Sequence, residues 1–330
     1  MFLNDLYAAV ARRRRERYAR RPDLRRRLRR PVISVGNLAV GGRGKTPAVA
    51  ALARVLTAAG ERPAILSRGY GRTQPDDGVV VVNAPDGIRA DLARSGDEPL
   101  MLARQLPGVP ILVASDRYLA GRLAEHHFDV TVHVLDDGFQ HLQLDRDLDL
   151  VIVAAEDLDP AAQTLPTGRL REAPDALVAA DAILSADPSV QMPPHDERPL
   201  FTLRRDLGAL SGESSELVAP GTPVMAVSGI ANPARFVSDL RGAGWNAVQS
   251  LTFRDHHAYR HAEVAQIVAT ARTCGARAVV TTEKDFVRLL PYRPFPLPVV
   301  YLPLTMEIKP AAEFRAWLEA SLRAARDLQA

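Results

Sequence analysis

Within Val35-Gly-Asn-Leu-Ala-Val-Gly-Gly-Arg-Gly-Lys-Thr-Pro47, three glycines fall in four positions, and a lysine and a hydroxyl follow them directly. That combination suits phosphate binding. Backbone N–H groups of Gly41, Gly42, Arg43 and Gly44 can crowd an anion where three of the four residues lack a Cβ. Lys45 adds a positive charge, and the helix opened by Pro47 turns its positive end toward the phosphates. Thr46 can give its hydroxyl to Mg2+. Against the G-x-x-x-x-G-K-[ST] pattern the one departure is Ala39 in place of the first glycine. A glycine-rich turn that binds nothing leaves the Lys-Thr pair unexplained.

Carboxylates complete such a site. Asp136 and Asp137 follow the apolar run 130–135, and an acidic residue at the carboxyl end of a strand beside the glycine loop can hold Mg2+ opposite Thr46. Asp97 and Glu98, in Ser95-Gly-Asp-Glu-Pro99, serve either as helix caps or as the acceptor of a proton from an attacking hydroxyl. Ser67-Arg-Gly-Tyr-Gly71 offers Arg68 and Tyr70 where open α/β sheets place ligands, although a plain connection reads the same way. The adjacent His126 and His127 are poorly spaced to share one metal and read as surface.

These residues need a scaffold of alternating strands and helices. Strands are expected at 32–35, 63–66, 79–82, 109–113, 130–135, 148–154, 182–184, 224–227 and 278–281. Helices are expected at 48–59, 100–105, after 114–118 to about 125, from about 234, at 262–271, and near the C-terminus around Phe314, Trp317, Leu318 and Leu322. The alternation predicts an α/β fold: a P-loop core with a mostly parallel sheet flanked by helices, and a smaller α/β second domain. The segment 187–199, with four prolines, places a boundary between a kinase-type domain at 31–200 and a second domain at 201–330.

The 330 residues allow two cores, and a composition 47% hydrophobic and 25% charged excludes wholesale disorder. Cys274, the one cysteine, cannot form an internal disulfide, reads as a small buried hydrophobe, and suits a reducing cytoplasm. No apolar run has the length of a membrane span, and the N-terminus is not a secretory signal.

Charge is uneven. Residues 1–30 hold twelve arginines against Asp5, Glu16 and Asp23, a local +9, so with a total of +3 the rest of the chain carries −6. Phe2, Leu3, Leu6, Tyr7 and Val10 share one helical face ahead of that basic run. The arm reads as a short interfacial helix with a polybasic flank, each basic residue near an anionic leaflet contributing about 1 kcal/mol. A helix docked on the core by its apolar stripe is the alternative, and a nucleic-acid arm ranks last because aromatics are sparse.

Taken together, Val35-Gly-Asn-Leu with the glycine loop, Ser67-Arg-Gly-Tyr-Gly71, Gly96-Asp-Glu-Pro99, Asp136-Asp-Gly-Phe-Gln-His141, Leu165-Pro-Thr-Gly with Arg171-Glu172, Asp255-His256 and Thr282-Glu-Lys-Asp285 resemble the tetraacyldisaccharide 4'-kinase family of lipid A assembly. The resemblance implies ATP and Mg2+, an acceptor hydroxyl at the 4' position of an acylated glucosamine disaccharide 1-phosphate, and peripheral attachment to the cytoplasmic face of the bacterial inner membrane. It implies that Lys45 and Thr46 serve phosphate and metal, that Asp97 is the catalytic base with His256 as its partner, and that Asp136 and Asp137 are the metal pair. Asn37, Arg68, Tyr70, Arg117, Gln140, His141, Arg171 and Glu172 become candidates for binding the substrate. The family tolerates a residue other than glycine at Ala39.

Other classes fit less well. A membrane-associated P-loop ATPase that positions division septa carries a second lysine just before the paired glycines, where this chain has Val40. A guanine-reading switch needs one residue between the lysine and the aspartate that Lys284 and Asp285 place side by side. A nucleic-acid motor is disfavoured by the acidic balance outside the arm.

Overall fold

The computed structural model describes residues 2–192, 196–213 and 215–329, without the side chain of Phe2. Helix α1 (Phe2–Arg20) precedes β1 (Val32–Asn37), which is buried at every position and leads through the glycine loop into α2 (Lys45–Ala58). In α2 the residues Val49, Leu52, Ala53 and Leu56 recur at helical spacing and are buried, and Pro47 sits in the first turn, where its missing N–H costs no helical bond. There follow β2 (Pro63–Ser67), β3 (Val80–Ala84), β4 (Gly87–Ile88), α3 (Leu92–Ser95), α4 (Asp97–Gln105), β5 (Ile111–Val113), α5 (Arg117–His127), β6 (Val132–Asp136), β7 (Leu148–Ile152), α6 (Ala155–Leu158), β8 (Ala182–Ser185) and β9 (Leu200–Leu207). The chain continues with β10 (Pro223–Ser228), α7 (Pro233–Gly242), β11 (Asn246–Thr252), α8 (His261–Thr273), β12 (Ala278–Thr282), α9 (Glu283–Leu289), β13 (Val299–Leu302), β14 (Leu304–Lys309) and α10 (Ala311–Asp327).

Among the described residues the strands form a ten-stranded sheet, ordered β14-β9-β8-β7-β1-β6-β2-β5-β3-β4, and a four-stranded sheet, ordered β11-β10-β12-β13. In the larger sheet the strands from β9 to β5 run parallel, and β14, β3 and β4 pair antiparallel at its ends. The smaller sheet is parallel throughout. From β1 the chain first winds toward β2 and β5, then returns through β6 and winds the other way through β7, β8 and β9. The reversal at β1 opens a crevice at the carboxyl ends of the central strands, where such sheets bind ligands.

Helices α2, α4 and α10 bury Leu52, Leu102 and Phe314 on one face of the larger sheet, while Leu28 and α5 cover part of the other. In the smaller lobe α8 and α9 pack Ile267 and Phe286 on one face, and α7 packs Phe236 and Leu240 on the other. Leu100, Met101 and Val287 join α4 to α9 and so form an apolar contact between the lobes.

The expected boundary near residue 200 is corrected by the strand pairing. β9, which starts at Leu200, joins the larger sheet beside β8, and after residue 303 the chain returns to it as β14 and α10. The proline-rich 187–199, of which 193–195 lie outside the described residues, is therefore a connection within the larger lobe. Its prolines interrupt local structure but do not separate the cores. His126 and His127 are exposed, as expected, and Cys274 lies partly buried beside the core of the smaller lobe.

Candidate active site

The glycine loop lies at the carboxyl end of β1 and is backed by residues 169–171: Val40 N–H donates to the Arg169 carbonyl at 2.8 Å, and Arg171 N–H donates to the Leu38 carbonyl at 2.6 Å. Gly44 caps α2 at φ 80°, a left-handed conformation that glycine adopts without the Cβ penalty. Lys45 Nζ donates to Asn37 Oδ1 at 3.1 Å and lies 3.5 Å from Asp137 Oδ1. The Arg43 guanidinium pairs with Glu156 and Asp157 at 2.5 Å each, so this residue presents its backbone, not its charge, to the cleft.

Strand β6 lies beside β1 with Asp136 in register with Val35, which brings the expected carboxylates to the glycine loop. Burial, with the charges of Glu98 and Asp137, pushes the Asp136 carboxyl up to about 7. Burial also opposes ionisation of Asp137, but Lys45 and Arg171 outweigh it and hold that group below its ordinary value. Asp137 adopts φ 54°, rare for a residue with a side chain and typical of functional strain. Thr46 is buried in the first turn of α2. A buried hydroxyl and a carboxylate crowded by two others form a hard-oxygen donor set suited to Mg2+, which takes one or two protein ligands and keeps its waters. Among the described residues no cluster of three or more His, Cys, Asp or Glu could hold a metal alone, and a P-loop magnesium site needs none.

A cleft of about 840 Å³ opens between the lobes, lined by Gly41 to Pro47, Glu98, Ile230 to Asn232, Asp255 and Thr282 to Lys284 among others. Behind Glu98 and Asp255 of that lining, Asp97, the first residue of α4, meets His256 from the smaller lobe: His256 Nδ1 lies 3.1 Å from Asp97 Oδ2. Gly96 lets the Tyr70 backbone pack against the start of α4, since at φ 83° a Cβ there would lie 2.6 Å from the Tyr70 carbonyl. The Tyr70 ring meets His256 edge-on at 4.9 Å between centroids. His256 adopts φ 56°, and its Nε2 lies 3.0 Å from Lys284 Nζ, which also donates to Glu98 at 2.9 Å.

Asp97 is not a free carboxylate. Arg288 on α9 donates Nε to Asp97 Oδ2 at 2.7 Å and adds a second bond from Nη2. Burial alone would raise the Asp97 carboxyl, but the His256 hydrogen bond and the charges of Lys284 and Arg288 hold it well below the usual carboxylate range. Asp97 is therefore ionised and able to accept a hydrogen bond from a hydroxyl, yet a weak proton acceptor while so held. Arg288 and Lys284 were not assigned roles from sequence, whereas Glu98 was read as a helix cap or proton acceptor and is instead held by Lys284. The signal lay in Thr282-Glu-Lys-Asp285, whose helix α9 carries Arg288 and Lys284.

The remaining candidates divide. Arg68 is exposed and Arg117 is buried. Burial and the Arg68 charge push Arg117 down to about 10, so two neighbouring cations favour an anion there. His141 is pushed down to about 3 by burial, Arg117 and Arg146, and is thus neutral. Asn37, Gln140, Arg171 and Glu172 are engaged within the protein. Asn37 also donates to the Ala39 carbonyl at 2.7 Å, and Gln140 donates to the Asn37 carbonyl at 3.0 Å. Arg171 holds both oxygens of Asp137 at 2.7 and 2.8 Å, and Glu172 receives Arg15 of α1 at 2.6 and 2.9 Å.

Helix α1 docks by polar groups. Asn4 donates to Gln163 at 3.0 Å and to Thr167 at 2.5 Å, Arg15 stacks 4.1 Å over the Phe139 ring, and Arg12 pairs with Asp175. Leu3, Leu6, Tyr7 and Val10 are left exposed, which reverses the alternative in which the apolar stripe faces the core. Of the arm's arginines, Arg12, Arg15, Arg25, Arg26 and Arg27 pair with acids outside the arm, which offsets part of its local +9. Among the described residues no helix is long and apolar enough to cross a membrane.

A glycine loop between β1 and α2, a carboxylate on the adjoining β6 and an aspartate–histidine pair across an interlobe cleft define an α/β P-loop phosphotransferase. The sequence model of the tetraacyldisaccharide-1-P 4'-kinases (LpxK) matches residues 1–323, and the chain belongs to that family. It is 40% identical over 290 residues to the tetraacyldisaccharide 4'-kinase of Geobacter metallireducens, a match covering 81% of this chain and 80% of that one. It is 39% identical over 320 residues to the enzyme of the same name from Koribacter versatilis, covering 94% and 95%. The crystal structure of LpxK from Aquifex aeolicus in complex with ATP superposes with a TM-score of 0.80 at 29% identity, covering 97% of each chain.

Proposed function

We propose that the protein transfers the γ-phosphoryl group of ATP to the 4'-hydroxyl of a tetraacyl glucosamine disaccharide 1-phosphate, giving lipid IVA. The observation that carries this reading is that one cleft is lined by the glycine loop and by the neighbours of the Asp97–His256 pair, so donor phosphate and acceptor hydroxyl meet where a carboxylate waits. The glycine-loop amides and Lys45 bind the phosphates and stabilise charge that develops on the transferring group. Asp97, oriented by His256, accepts the hydrogen bond of the acceptor hydroxyl and aligns it for in-line attack. Mg2+ would be held by the Thr46 hydroxyl and by Asp136 or Asp137, and it would neutralise charge on the phosphates.

The acceptor enters from the side where α1 packs against residues 139–140 and 163–175. Arg68 and Arg117 suit the anionic 1-phosphate, Tyr70 and His141 line its approach, and Asn37, Gln140, Arg171 and Glu172 shape the wall behind it. The exposed Leu3, Leu6, Tyr7 and Val10, beside arginines that include Arg13 and Arg17, rest on an anionic leaflet so that the lipid reaches the cleft without leaving the membrane. The attachment is peripheral and on the cytoplasmic face of the inner membrane, and no nucleic acid takes part. The working unit is two lobes, residues 32–207 with 304–327 and residues 208–303, which close on the nucleotide. Transfer of labelled phosphate from ATP to purified disaccharide 1-phosphate tests the reading, and no transfer by protein that binds ATP would reject the acceptor.

A further inference from the structure

Arg288 lies outside the cleft, 5% exposed, yet it joins two of the cleft's walls. Its Nε and Nη2 hold Asp97 Oδ2, and its Nη1 donates to the Gly229 carbonyl and to Asp285 Oδ1, each at 2.8 Å. Asp285, fully buried, accepts the Gly229 N–H at 2.9 Å, the Thr282 hydroxyl at 2.7 Å and the Tyr259 hydroxyl at 3.2 Å. Both backbone polar groups of Gly229 are thus held by the Arg288–Asp285 pair. The next three residues, Ile230, Ala231 and Asn232, line the cleft opposite the glycine loop, and a Cβ on Gly42 would lie 3.6 Å from the Ala231 methyl.

We propose that Arg288 is a positioning residue that couples nucleotide occupancy of the cleft to the placement of Asp97. A nucleotide seated on the glycine loop presses on residues 230–232, which are continuous with Gly229. Because the guanidinium is a rigid planar fork, Gly229 cannot shift without moving the atoms that hold Asp97. A lysine at this position would keep the charge and lose the fork. The inference rests on the kinase reading of the cleft.

Coupling of this kind is reciprocal, so a change at Arg288 must also appear in nucleotide affinity measured with no acceptor present. Arg288→Lys should weaken ATP binding by about 5-fold in calorimetry and lower kcat by at least about 10-fold, with KM for the lipid acceptor unchanged. The charged groups facing Asp97 are His256 and Lys284 from the smaller lobe, Glu98 from its own helix and Arg288. Gly229→Ala disturbs the same hub from its other end without altering any charge, since its methyl would sit 3.0 Å from Asp285 Oδ1, and it also crowds the Arg254 carbonyl at 3.1 Å beside the segment carrying His256. It should weaken ATP binding and slow transfer in the same direction, at a melting temperature above that of the assay. Wild-type ATP affinity in both variants, or an acceptor KM in Arg288→Lys that rises as kcat falls, would overturn the coupling. Wild-type protein that bound no ATP would refute the nucleotide reading and this inference with it, whereas ATP binding without transfer to the disaccharide would refute the acceptor alone.

Discussion

His256 Nδ1 and Asp97 Oδ2 lie 3.1 Å apart although 159 residues separate them, and the two belong to different lobes. A pair assembled only when lobes meet ties chemistry to closure and keeps water from taking the phosphate. Asp97→Ala and His256→Ala should each lower turnover by about 100-fold or more, and the double variant should cost little beyond the worse single one. His256→Ala should leave ATP affinity near wild type, while Asp97→Ala alters it only through Arg288. Penalties that multiply in the double variant would assign the two residues independent roles, and abolished ATP binding in Asp97→Ala would move that residue to the metal site.

Lys45 is held between Asn37 and Asp137, so its ammonium is fixed before any phosphate arrives. Lys45→Ala should lower turnover by about 100-fold or more by removing charge stabilisation that is preorganised. Steady-state transfer with labelled ATP reads the loss, and near-normal turnover is incompatible with the glycine loop as the phosphate site.

The central strands and the glycine loop were legible because both follow from local chemistry: β-branched runs read as strands, and three glycines before Lys45 permit few other readings. Strand β9 was missed although Leu200, Phe201 and Leu203 are apolar, because the prolines just before it read as a boundary. β13 and β14 were missed for a related reason, since short strands at a sheet end carry little periodicity and are fixed by partners far off in sequence. The environment of Asp97 was hidden because burial and a guanidinium from residue 288 are tertiary facts. The polar docking of α1 was equally invisible, since nothing local says that Asn4 and Arg15 would find Gln163 and Glu172.

The orientation of α1 bears on membrane binding. Replacing Leu3, Leu6 and Val10 with Ser changes exposed positions and should leave the fold intact, while partition onto anionic vesicles falls by about 10-fold or more. With five of the arm's arginines paired to acids outside it, added salt should weaken binding less than a fully unpaired +9 cluster would require. Unchanged vesicle binding by the Ser variant in sedimentation would remove the apolar face as an anchor.

Arg15 and Glu172 offer a way to loosen that helix without touching its apolar face. Their side chains are 14% and 7% exposed and paired in a fork, so Arg15→Met leaves a mostly buried carboxylate unpaired. The variant should raise KM for the lipid acceptor several-fold, while ATP affinity and the KM for ATP stay near wild type. Limited proteolysis should then cut within residues 2–20 sooner than in wild type. Equal losses toward both substrates would show that α1 supports the whole fold and not the acceptor side.

The buried charges around Asp97 also predict how stability depends on pH. In the folded protein Asp97 is held below its ordinary carboxyl value because His256, Lys284 and Arg288 outweigh its burial. A carboxyl depressed by folding stabilises the native state at every pH above its unfolded value, about 4, and that contribution fades as pH falls below 4 toward the folded value. Asp97→Asn removes the group from both states. It should therefore cost on the order of 3 kcal/mol near neutral pH, a cost moderated because Arg288 keeps Asp285 as a partner. Carboxyls remote from Asp97 titrate in both proteins and cancel in the difference, so the gap between wild type and variant should narrow as pH falls below about 4. Urea unfolding of the two proteins at these pH values measures it. A gap that stayed constant down to about pH 3, or widened there, would show that Asp97 is not held as a charged partner of Arg288 in solution.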